Sequence, residues 1–307
     1  MKEFSRVMPD IIAEDHWTQR DGVKLSVYRK RLASAAPDAP VVMLVHGSSF
    51  GGKNGFDLQV PGKPGYSFMD EFALRGFDVW TFDFEGYGRS DRTAGYSGFD
   101  TAVADTHAAM EVVHQVTGQS RVAFYGSSSG AIRAALYAEA KPDRVSRLIL
   151  DAYVWTGWQA PTLIARRRNI AKWRDTNSRP INQAFFHTIF NRDHPGTSEE
   201  GVADALAAAE LADGNTVPNG TYLDMCSILP VNDPAKITCP VLILRGEHDG
   251  IATEKDLLEF YSGLGTTDRQ FAVLPGMAHV SYLGKNRAIF HHAVHSFLTA
   301  PSRTDTH

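Results

Sequence analysis

The stretch that decides the fold is RVAFYGSSSGAIRAALYAEA, residues 121–140. It starts as a short apolar strand, passes through three serines between two glycines, and continues as a helix that stops before Pro142. Ser128 stands at the centre of the pattern G-x-S-x-G, in the strand-to-helix context that this motif requires. The sharp turn strains the central residue and holds its hydroxyl at a helix N-terminus, where an oxyanion is favoured. We therefore interpret Ser128, rather than Ser127 or Ser129, as a nucleophile.

The remaining chain alternates strand and helix patterns on both sides of this stretch. Apolar runs at 40–47, 77–82, 145–155 and 239–244 are typical of strands buried on both faces of a parallel sheet. The alternation predicts an α/β fold with a doubly wound, mostly parallel sheet. Helical patterns without a clear strand occupy 155–235, a stretch too long for an ordinary connection. We expect a core domain of residues 1–154 and 236–307, with 155–235 inserted between two core strands as a helical cap.

Composition excludes several classes of protein. The 307 residues carry a net charge of −4, and no face rich in Lys and Arg indicates a nucleic-acid partner. Cys226 and Cys239 alone make neither a zinc site nor a disulfide framework. The first residues lack the apolar run of a signal peptide, and no segment approaches the length of a membrane span. We expect a cytoplasmic protein without a membrane partner, and a frayed tail at 300–307.

A serine nucleophile requires a base and an orienting acid. Among twelve histidines, His279 stands out because it follows the last predicted strand, where the ligand crevice of a parallel sheet lies. Asp249 follows the preceding strand, and the chain order Ser128, Asp249, His279 is the order expected for this fold. Asp151 also ends a strand and is the rival acid, while we interpret His248 as a bystander. Thirty residues between Asp249 and His279 accommodate one helix and one strand, which favours Asp249.

These motifs together resemble the α/β-hydrolase superfamily over nearly the whole chain. The residues that carry the resemblance are HGSS at 46–49, DFEGYGRSD at 83–91, GSSSG at 126–130, LRGEHD at 244–249 and GMAH at 276–279. The resemblance implies the cap and an oxyanion hole after the HG pair. By position its donors are the backbone N–H groups of Ser48 and Ser129, with Ser49 as the alternative to Ser48. Asp83 and Glu85 also lie at a strand end, and we expect them to hydrogen-bond within their glycine-rich loop rather than to act in catalysis.

The expected function is a serine hydrolase that cleaves a small-molecule carboxylic ester through an acyl-enzyme, without a metal or organic cofactor. A serine at the elbow argues against epoxide hydrolases and haloalkane dehalogenases, which carry aspartate there. The same triad serves carbon–carbon bond hydrolases of diketones, lactonases, amidases and acyltransferases, and the motifs do not separate them. A non-catalytic small-molecule receptor built on this fold is the alternative from another class.

Three further features bear on the substrate. Ser49, Trp155 and Trp158 are candidates for the substrate pocket, although aromatic residues of the cap also form its core. The basic run 166–174 is expected to expose most of its charges, with Leu163, Ile164 and Arg167 on one helical face; the alternative is an arginine that binds a substrate carboxylate. GSSFGGKN at 47–54 nearly matches a phosphate-binding loop, but Asn54 replaces the required hydroxyl and we expect no helix after it.

Overall fold

The computed structural model describes residues 10–301. The expected absence of a signal peptide therefore concerns residues that lie partly outside the described range, and so does most of the predicted frayed tail. Within the range, none of the helices combines the length and the apolar character that a membrane crossing demands.

Eight strands form one sheet, and two short strands pair separately. The sheet contains β1 Ile11–Arg20, β2 Val23–Leu32, β3 Val41–Val45, β4 Asp78–Phe82, β5 Val122–Ser127, β6 Val145–Asp151, β9 Val241–Gly246 and β10 Arg269–Leu274, and the separate pair is β7 Ser178–Pro180 and β8 Thr216–Pro218. The order is β1-β2-β4-β3-β5-β6-β9-β10. β1 and β2 are antiparallel to their neighbours, whereas the other six strands, β4, β3, β5, β6, β9 and β10, are parallel to one another. The predicted mostly parallel sheet is confirmed.

Helices flank this sheet. They are α1 Gly52–Phe56, α2 Phe68–Ala73, α3 Ala102–Thr117, α4 Ser129–Ala140, α5 Pro161–Arg167, α6 Ile170–Asp175, α7 Gln183–Asn191, α8 Val202–Asp213, α9 Gly220–Ser227, α10 Glu254–Gly263 and α11 Arg287–Leu298. α3 packs on α4 and α2 packs on α11, while α8 contacts α1. Crossover helices of this kind leave the carboxyl ends of the parallel strands together at one edge.

The core explains why these segments form strands. Every residue of β3 and β4 is buried, as expected for uninterrupted apolar runs covered on both faces. Below the turn that carries Ser128, the ring of Tyr125 in β5 lies 5.0 Å from that of Phe68 and 5.7 Å from that of Phe290. Each such ring contributes about 2 to 3 kcal/mol through burial. This packing makes β5 a rigid support for the residues that follow it.

The segment between β6 and β9 differs from its prediction in two respects. It contains the antiparallel pair of β7 and β8, which a pattern search misses because three residues are too few to show alternation. The predicted continuous helix over 161–175 breaks between α5 and α6. Within α5, Leu163 is buried as predicted, but Arg166 is also buried and Ile164 is 44% exposed, so the predicted inward face was only partly right.

Two core elements were also missed. β1 pairs with β2 along its whole length, but its residues are mostly polar, so no apolar run marks it. α1 begins within the phosphate-loop-like segment and extends past its end, contrary to expectation. Gly52 lies so close to β4 that a Cβ there would be 2.3 Å from Thr81 Oγ1. This close packing against β4, and not local helix propensity, determines where the turn forms.

Candidate active site

The turn between β5 and α4 has the geometry of a nucleophile elbow. Ser128 has φ +59° and ψ −125°, a conformation that L residues avoid unless surrounding contacts impose it. A Cβ on Gly126 would lie 2.5 Å from the carbonyl oxygen of Gly130, and a Cβ on Gly130 would lie 2.2 Å from that of Val45. Only glycine therefore fits at either side of this turn. The Ser128 N–H also donates to the backbone oxygen of Asp151 at 2.9 Å, which ties the turn to β6.

The structure brings Ser128, Asp249 and His279 together. His279 Nε2 lies 3.1 Å from Ser128 Oγ, and its Nδ1 lies 2.9 Å from Asp249 Oδ1. All three side chains are buried, with residue exposures of 8%, 2% and 7% respectively. The two ring nitrogens thus face the hydroxyl and the carboxylate in the arrangement through which a histidine withdraws a serine proton.

Two hydrogen-bonded loops hold the acid and the base. Asp249 and His279 follow β9 and β10, which are parallel neighbours, so both loops leave the same edge of the sheet. The N–H of His248 donates to the oxygen of Met277 at 2.9 Å, and the N–H of Asp249 donates to Gly246 at 3.0 Å. His248 thus contributes a backbone link between the loops. This cross-bracing fixes the distance between the carboxylate and the imidazole.

Asp249 remains a carboxylate despite its burial. Burial alone would raise its pKa, but the charge and hydrogen bond of His279 and the N–H of Ile251, 3.0 Å from Oδ1, outweigh it and lower the pKa. Asp193 lies beside the pair: one ligand atom from each of Asp193, Asp249 and His279 falls within 4.8 Å of the others. Because Asp249 and His279 already bond each other, two of these three potential metal donors are in use.

Asp151, the rival acid, has a different partner. Its Oδ2 accepts from the Tyr125 hydroxyl at 2.8 Å, and no hydrogen bond among residues 10–301 joins it to His279. Complete burial raises the pKa of Asp151 to about 8, so it is mostly protonated at neutral pH. A neutral carboxyl bonded to a tyrosine is poorly suited to stabilising an imidazolium.

Ser48 and Ser129 lie together at the predicted oxyanion position. Their hydroxyls are 2.7 Å apart, and the Thr221 hydroxyl donates to Ser48 Oγ at 2.8 Å. The Ser48 carbonyl accepts from the Tyr87 hydroxyl at 3.1 Å and also from Arg179. These bonds fix the orientation of the Ser48 peptide. Ser129 begins α4, so its N–H has no partner within the helix and is available to a ligand.

His46 and Asp83 support the loop that carries Ser48. His46 is fully buried, and burial lowers its pKa to about 3, so the ring is neutral. Its Nε2 accepts from the Phe84 N–H at 3.0 Å. Asp83 accepts from the N–H of Arg89 at 3.3 Å, within its glycine-rich loop as expected, and also from the N–H of Gly52 at 2.7 Å, which lies outside that loop.

The cavity beside Ser128 is small and lacks two of the predicted pocket residues. Its volume is about 20 Å³, and its lining includes Ser49, Ser128, His279 and Ile189 of α7. Trp155 and Trp158 do not line it. The Trp155 ring packs toward Phe260 and donates to the oxygen of Asn232, and Trp158 is 49% exposed. Both residues precede α5, and their assignment to the substrate pocket stays a prediction.

Sequence reasoning missed several residues near the site. Ile189 was detectable, since Phe186, Ile189 and Phe190 share a helical face in α7. Thr221 and Tyr222 in α9 gave no signal. The Tyr222 hydroxyl lies 3.5 Å from Ser49 Oγ. Burial raises its pKa, but the charges of Arg166, Arg179 and Arg192 outweigh burial and lower the pKa to about 7.

Comparisons with known proteins agree with the fold. Residues 66–283 match the profile of the family described as serine aminopeptidase, S33. An esterase from Exiguobacterium antarcticum has 18% identity and a TM-score of 0.69, with 94% of this chain and 100% of that chain covered. A thermophilic esterase from Thermogutta terrifontis has 17% identity, a TM-score of 0.65, and coverage of 93% and 98%. The enol-lactonase from Burkholderia xenovorans has 16% identity, a TM-score of 0.63, and coverage of 92% and 100%. A search of curated proteins gave no significant match.

The fold defines an α/β hydrolase. Because the family profile covers more than half of the chain, this protein belongs to the S33 serine aminopeptidase-like hydrolases. The matched range includes Ser128, Asp249 and His279, whereas the loop of Ser48 precedes it. The expected α/β-hydrolase family membership is confirmed.

Proposed function

We propose that this hydrolase is a serine esterase with Ser128 as nucleophile, His279 as general base and acid, and Asp249 as the orienting carboxylate. The observation that carries the proposal is the pair of contacts on one imidazole, 3.1 Å to Ser128 Oγ and 2.9 Å to Asp249 Oδ1. Histidines on protein surfaces sometimes form such contacts by chance. Here, however, all three side chains are buried, and Ser128 lies in a strained turn. Strain and burial together point to function.

In the proposed mechanism, His279 accepts the proton of Ser128 as Oγ attacks the ester carbonyl. Asp249 holds the imidazole in the tautomer with the proton on Nδ1 and stabilises the imidazolium that forms. The backbone N–H groups of Ser48 and Ser129 bind the oxyanion of the tetrahedral intermediate. His279 then protonates the leaving alcohol. Water, activated by the same imidazole, hydrolyses the acyl-enzyme and regenerates Ser128.

We further propose that 155–235 acts as a cap that selects the substrate. Ile189 of α7 comes from this segment and lines the cavity beside Ser128. A volume of about 20 Å³ holds about one water, so an ester enters only if Ile189 and its helix move away. The proposed division leaves the chemistry to the core and the access to the cap.

The test is the hydrolysis of 4-nitrophenyl esters of graded acyl length by the wild type and by three alanine variants. Ser128→Ala should lose roughly 10⁴-fold or more in kcat. Ser127→Ala and Ser129→Ala are matched controls and should lose less than about tenfold, since alanine keeps the Ser129 N–H. If all three variants lost activity equally while folding normally, the assignment of the nucleophile would be wrong.

Parallel substrates separate the alternatives. A 4-nitroanilide and a ring-fission diketone report on amide and carbon–carbon bond cleavage by the same triad. If the protein cleaved the anilide or the diketone faster than any ester, amide or carbon–carbon bond cleavage would replace ester cleavage as the proposed activity. Binding of esters without turnover, and without reaction of Ser128 with a fluorophosphonate, would instead indicate the receptor.

A further inference from the structure

Arg166 of α5 is a buried cation without an anionic partner. The residue is 9% exposed, its guanidinium lies 3.9 Å from the centre of the Tyr222 ring, and its Nη1 has no hydrogen-bond partner. No carboxylate is among the groups that shift its pKa most, and within residues 10–301 it forms no ion pair with a carboxylate. Burying a charge in this way is costly unless something pairs with it.

Among the other buried arginines, Arg29 pairs with the Asp78 carboxylate, and Arg133 and Arg179 are held by backbone carbonyls, whereas Arg166 has neither kind of partner among the described residues. Arg133 donates to the oxygen of Ser97 at 2.6 Å. Arg179 donates to the oxygens of Pro218 and Ser48. Those bonds give both residues a role in holding loops together. Comparable bonds do not exist for the Arg166 side chain within the described part of the chain, so a purely structural role does not explain its charge.

The Arg166 side chain borders a cleft between the start of α5, the loop into α6 and the end of α7. The cleft has a volume of about 340 Å³, and its lining includes Thr162, Arg166, Asn169, Trp173, Arg192 and Asp193. Arg192 Nε lies 3.3 Å from Asp193 Oδ2, so these two charges offset each other. The charge that remains in the cleft is that of Arg166.

The phenol of Tyr222 does not neutralise this charge. Its pKa of about 7 leaves it only partly ionised at neutral pH. The ring is also shared, because the guanidinium of Arg179 lies 3.7 Å from its centre. Arg166 and Arg179 together carry two positive charges, and the Tyr222 phenolate carries at most one negative charge, so a net positive charge remains. Burial lowers the pKa of Arg166 to about 10, so Arg166 stays protonated at neutral pH.

Two contacts link residues of the cleft to the candidate active site. Asp193 has a carboxylate oxygen within 4.8 Å of ligand atoms of Asp249 and His279. Tyr222, on which Arg166 stacks, has its hydroxyl 3.5 Å from Ser49 Oγ, and Ser49 lines the cavity of Ser128. A substrate that occupied both spaces would place one end at Ser128 and the other at Arg166.

We infer that this cleft binds a carboxylate, so that the substrate is an ester that also carries a free acid group, such as a monoester of a dicarboxylic acid. The guanidinium of Arg166 donates charge-assisted hydrogen bonds to the acid. The inference rests on the proposed function for the position of the scissile ester, but the anion site itself does not depend on catalysis.

The kinetic test compares acid and neutral esters of equal size. One pair is 4-nitrophenyl hydrogen adipate and its methyl ester; the other is 4-carboxyphenyl hexanoate and its methyl ester, which places the acid on the alcohol side. The wild type should prefer the acid in at least one pair by about tenfold in kcat/KM. Arg166→Met should lower kcat/KM for that acid by about 10- to 100-fold, the loss of a hydrogen bond to a charged group, and alter the neutral ester less than threefold.

Arg167→Met is the matched control, because Arg167 is exposed and adjacent; it should change neither ester more than twofold. The absence of any acid preference in both pairs, or equal losses in Arg166→Met and Arg167→Met, would overturn the inference. Neutral esters would still be hydrolysed in that case, so the proposed function would stand.

A binding test separates the inference from catalysis. In Ser128→Ala, adipate should raise the melting temperature in a concentration-dependent manner, since it binds only the folded state. In Ser128→Ala combined with Arg166→Met the shift should vanish, while the melting temperature without adipate should not fall, because an unpaired buried charge has been removed. Equal shifts in both proteins would refute the site. A shift that depends on Arg166, together with unimpaired ester hydrolysis by Ser128→Ala, would instead refute the proposed function and keep the site.

Discussion

Replacing Asp249 by asparagine should nearly abolish turnover without unfolding the protein. The Oδ1 atom accepts from His279 Nδ1 at 2.9 Å and from the Ile251 N–H at 3.0 Å. Asparagine has the same shape but no negative charge, and its NH₂ group can take the position of Oδ1 only by giving up the bond from the Ile251 N–H. In that orientation the NH₂ group faces Nδ1 and favours the imidazole tautomer that carries its proton on Nε2, which cannot accept the proton of Ser128. In the opposite orientation the amide oxygen keeps both bonds, and the charge of the carboxylate is still lost.

The size of the effect follows from the charge that is lost. As Ser128 attacks, His279 becomes an imidazolium about 3 to 4 Å from a carboxylate that is almost fully buried. Their attraction is about 4 kcal/mol at an effective dielectric constant of 20. The tautomer mismatch adds about 1 to 2 kcal/mol. A total of about 5 to 6 kcal/mol corresponds to a loss of about 10⁴-fold in kcat, the magnitude known for triad acids.

Asp151→Asn is the matched control. Asp151 is mostly protonated at neutral pH, because burial raises its pKa to about 8, so the amide replaces a neutral group. An amide oxygen still accepts from the Tyr125 hydroxyl. We expect kcat within about threefold of the wild type and a change in the free energy of unfolding below about 1 kcal/mol.

The assay is kcat on one 4-nitrophenyl ester for both variants, with circular dichroism as the check on folding. Near-normal turnover by folded Asp249→Asn, with collapse in Asp151→Asn, would move the orienting acid to Asp151. Equal losses in both variants would refute the argument from geometry, since only Asp249 contacts His279.

Three further predictions concern stability and selectivity. Burial raises the pKa of Glu210 to about 8, whereas its value in the unfolded chain is near 4.5. The protonated side chain therefore makes its full contribution to the stability of the fold below pH 4.5, and this contribution is lost as the pH rises to 8. Glu210→Gln should raise the free energy of unfolding, measured in urea, by on the order of 2 kcal/mol at pH 8.5 and by little at pH 5. Equal changes at the two pH values would contradict this reasoning. Ile189→Ala should raise the ratio of kcat/KM for butyrate over acetate aryl esters about tenfold, and it should lower the free energy of unfolding by about 2 to 4 kcal/mol. An unchanged ratio would exclude Ile189 from acyl selection. Gly130→Ala should cost about 3 kcal/mol or more in thermal unfolding because its Cβ would meet the Val45 carbonyl at 2.2 Å; a normal melting temperature would refute the close approach.

The catalytic candidates were accessible from the sequence because the sheet gives them fixed positions. Ser128 lies in a local motif whose glycines have a steric cause. Asp249 and His279 follow neighbouring parallel strands, and such strands end at one edge. Their proximity therefore follows from strand order, although they lie 121 and 151 positions from Ser128 along the chain. Geometry was needed to separate Asp249 from Asp151, because both follow strands at that edge.

The inserted segment was less predictable because no sheet dictates its packing. Its helices are short, and α5 and α6 divide where periodicity favoured one helix. Within α5, Arg166 is buried and Ile164 is exposed, the reverse of what one continuous helix predicted for these two residues. Trp158 is apolar and aromatic, yet it is exposed beside Lys255. Contacts between distant short helices decide these positions, and hydrophobic patterns within one helix do not contain that information.

The most direct test of the central claim is the site of covalent labelling by a fluorophosphonate, read by mass spectrometry of peptides from the intact protein. The reagent phosphonylates a serine only when a neighbouring base activates it. We predict a single adduct on Ser128, formed in step with the loss of ester hydrolysis and absent from Ser128→Ala. An adduct on Ser127 or Ser129, or full inactivation with Ser128 unmodified, would contradict the assignment of Ser128 as the nucleophile.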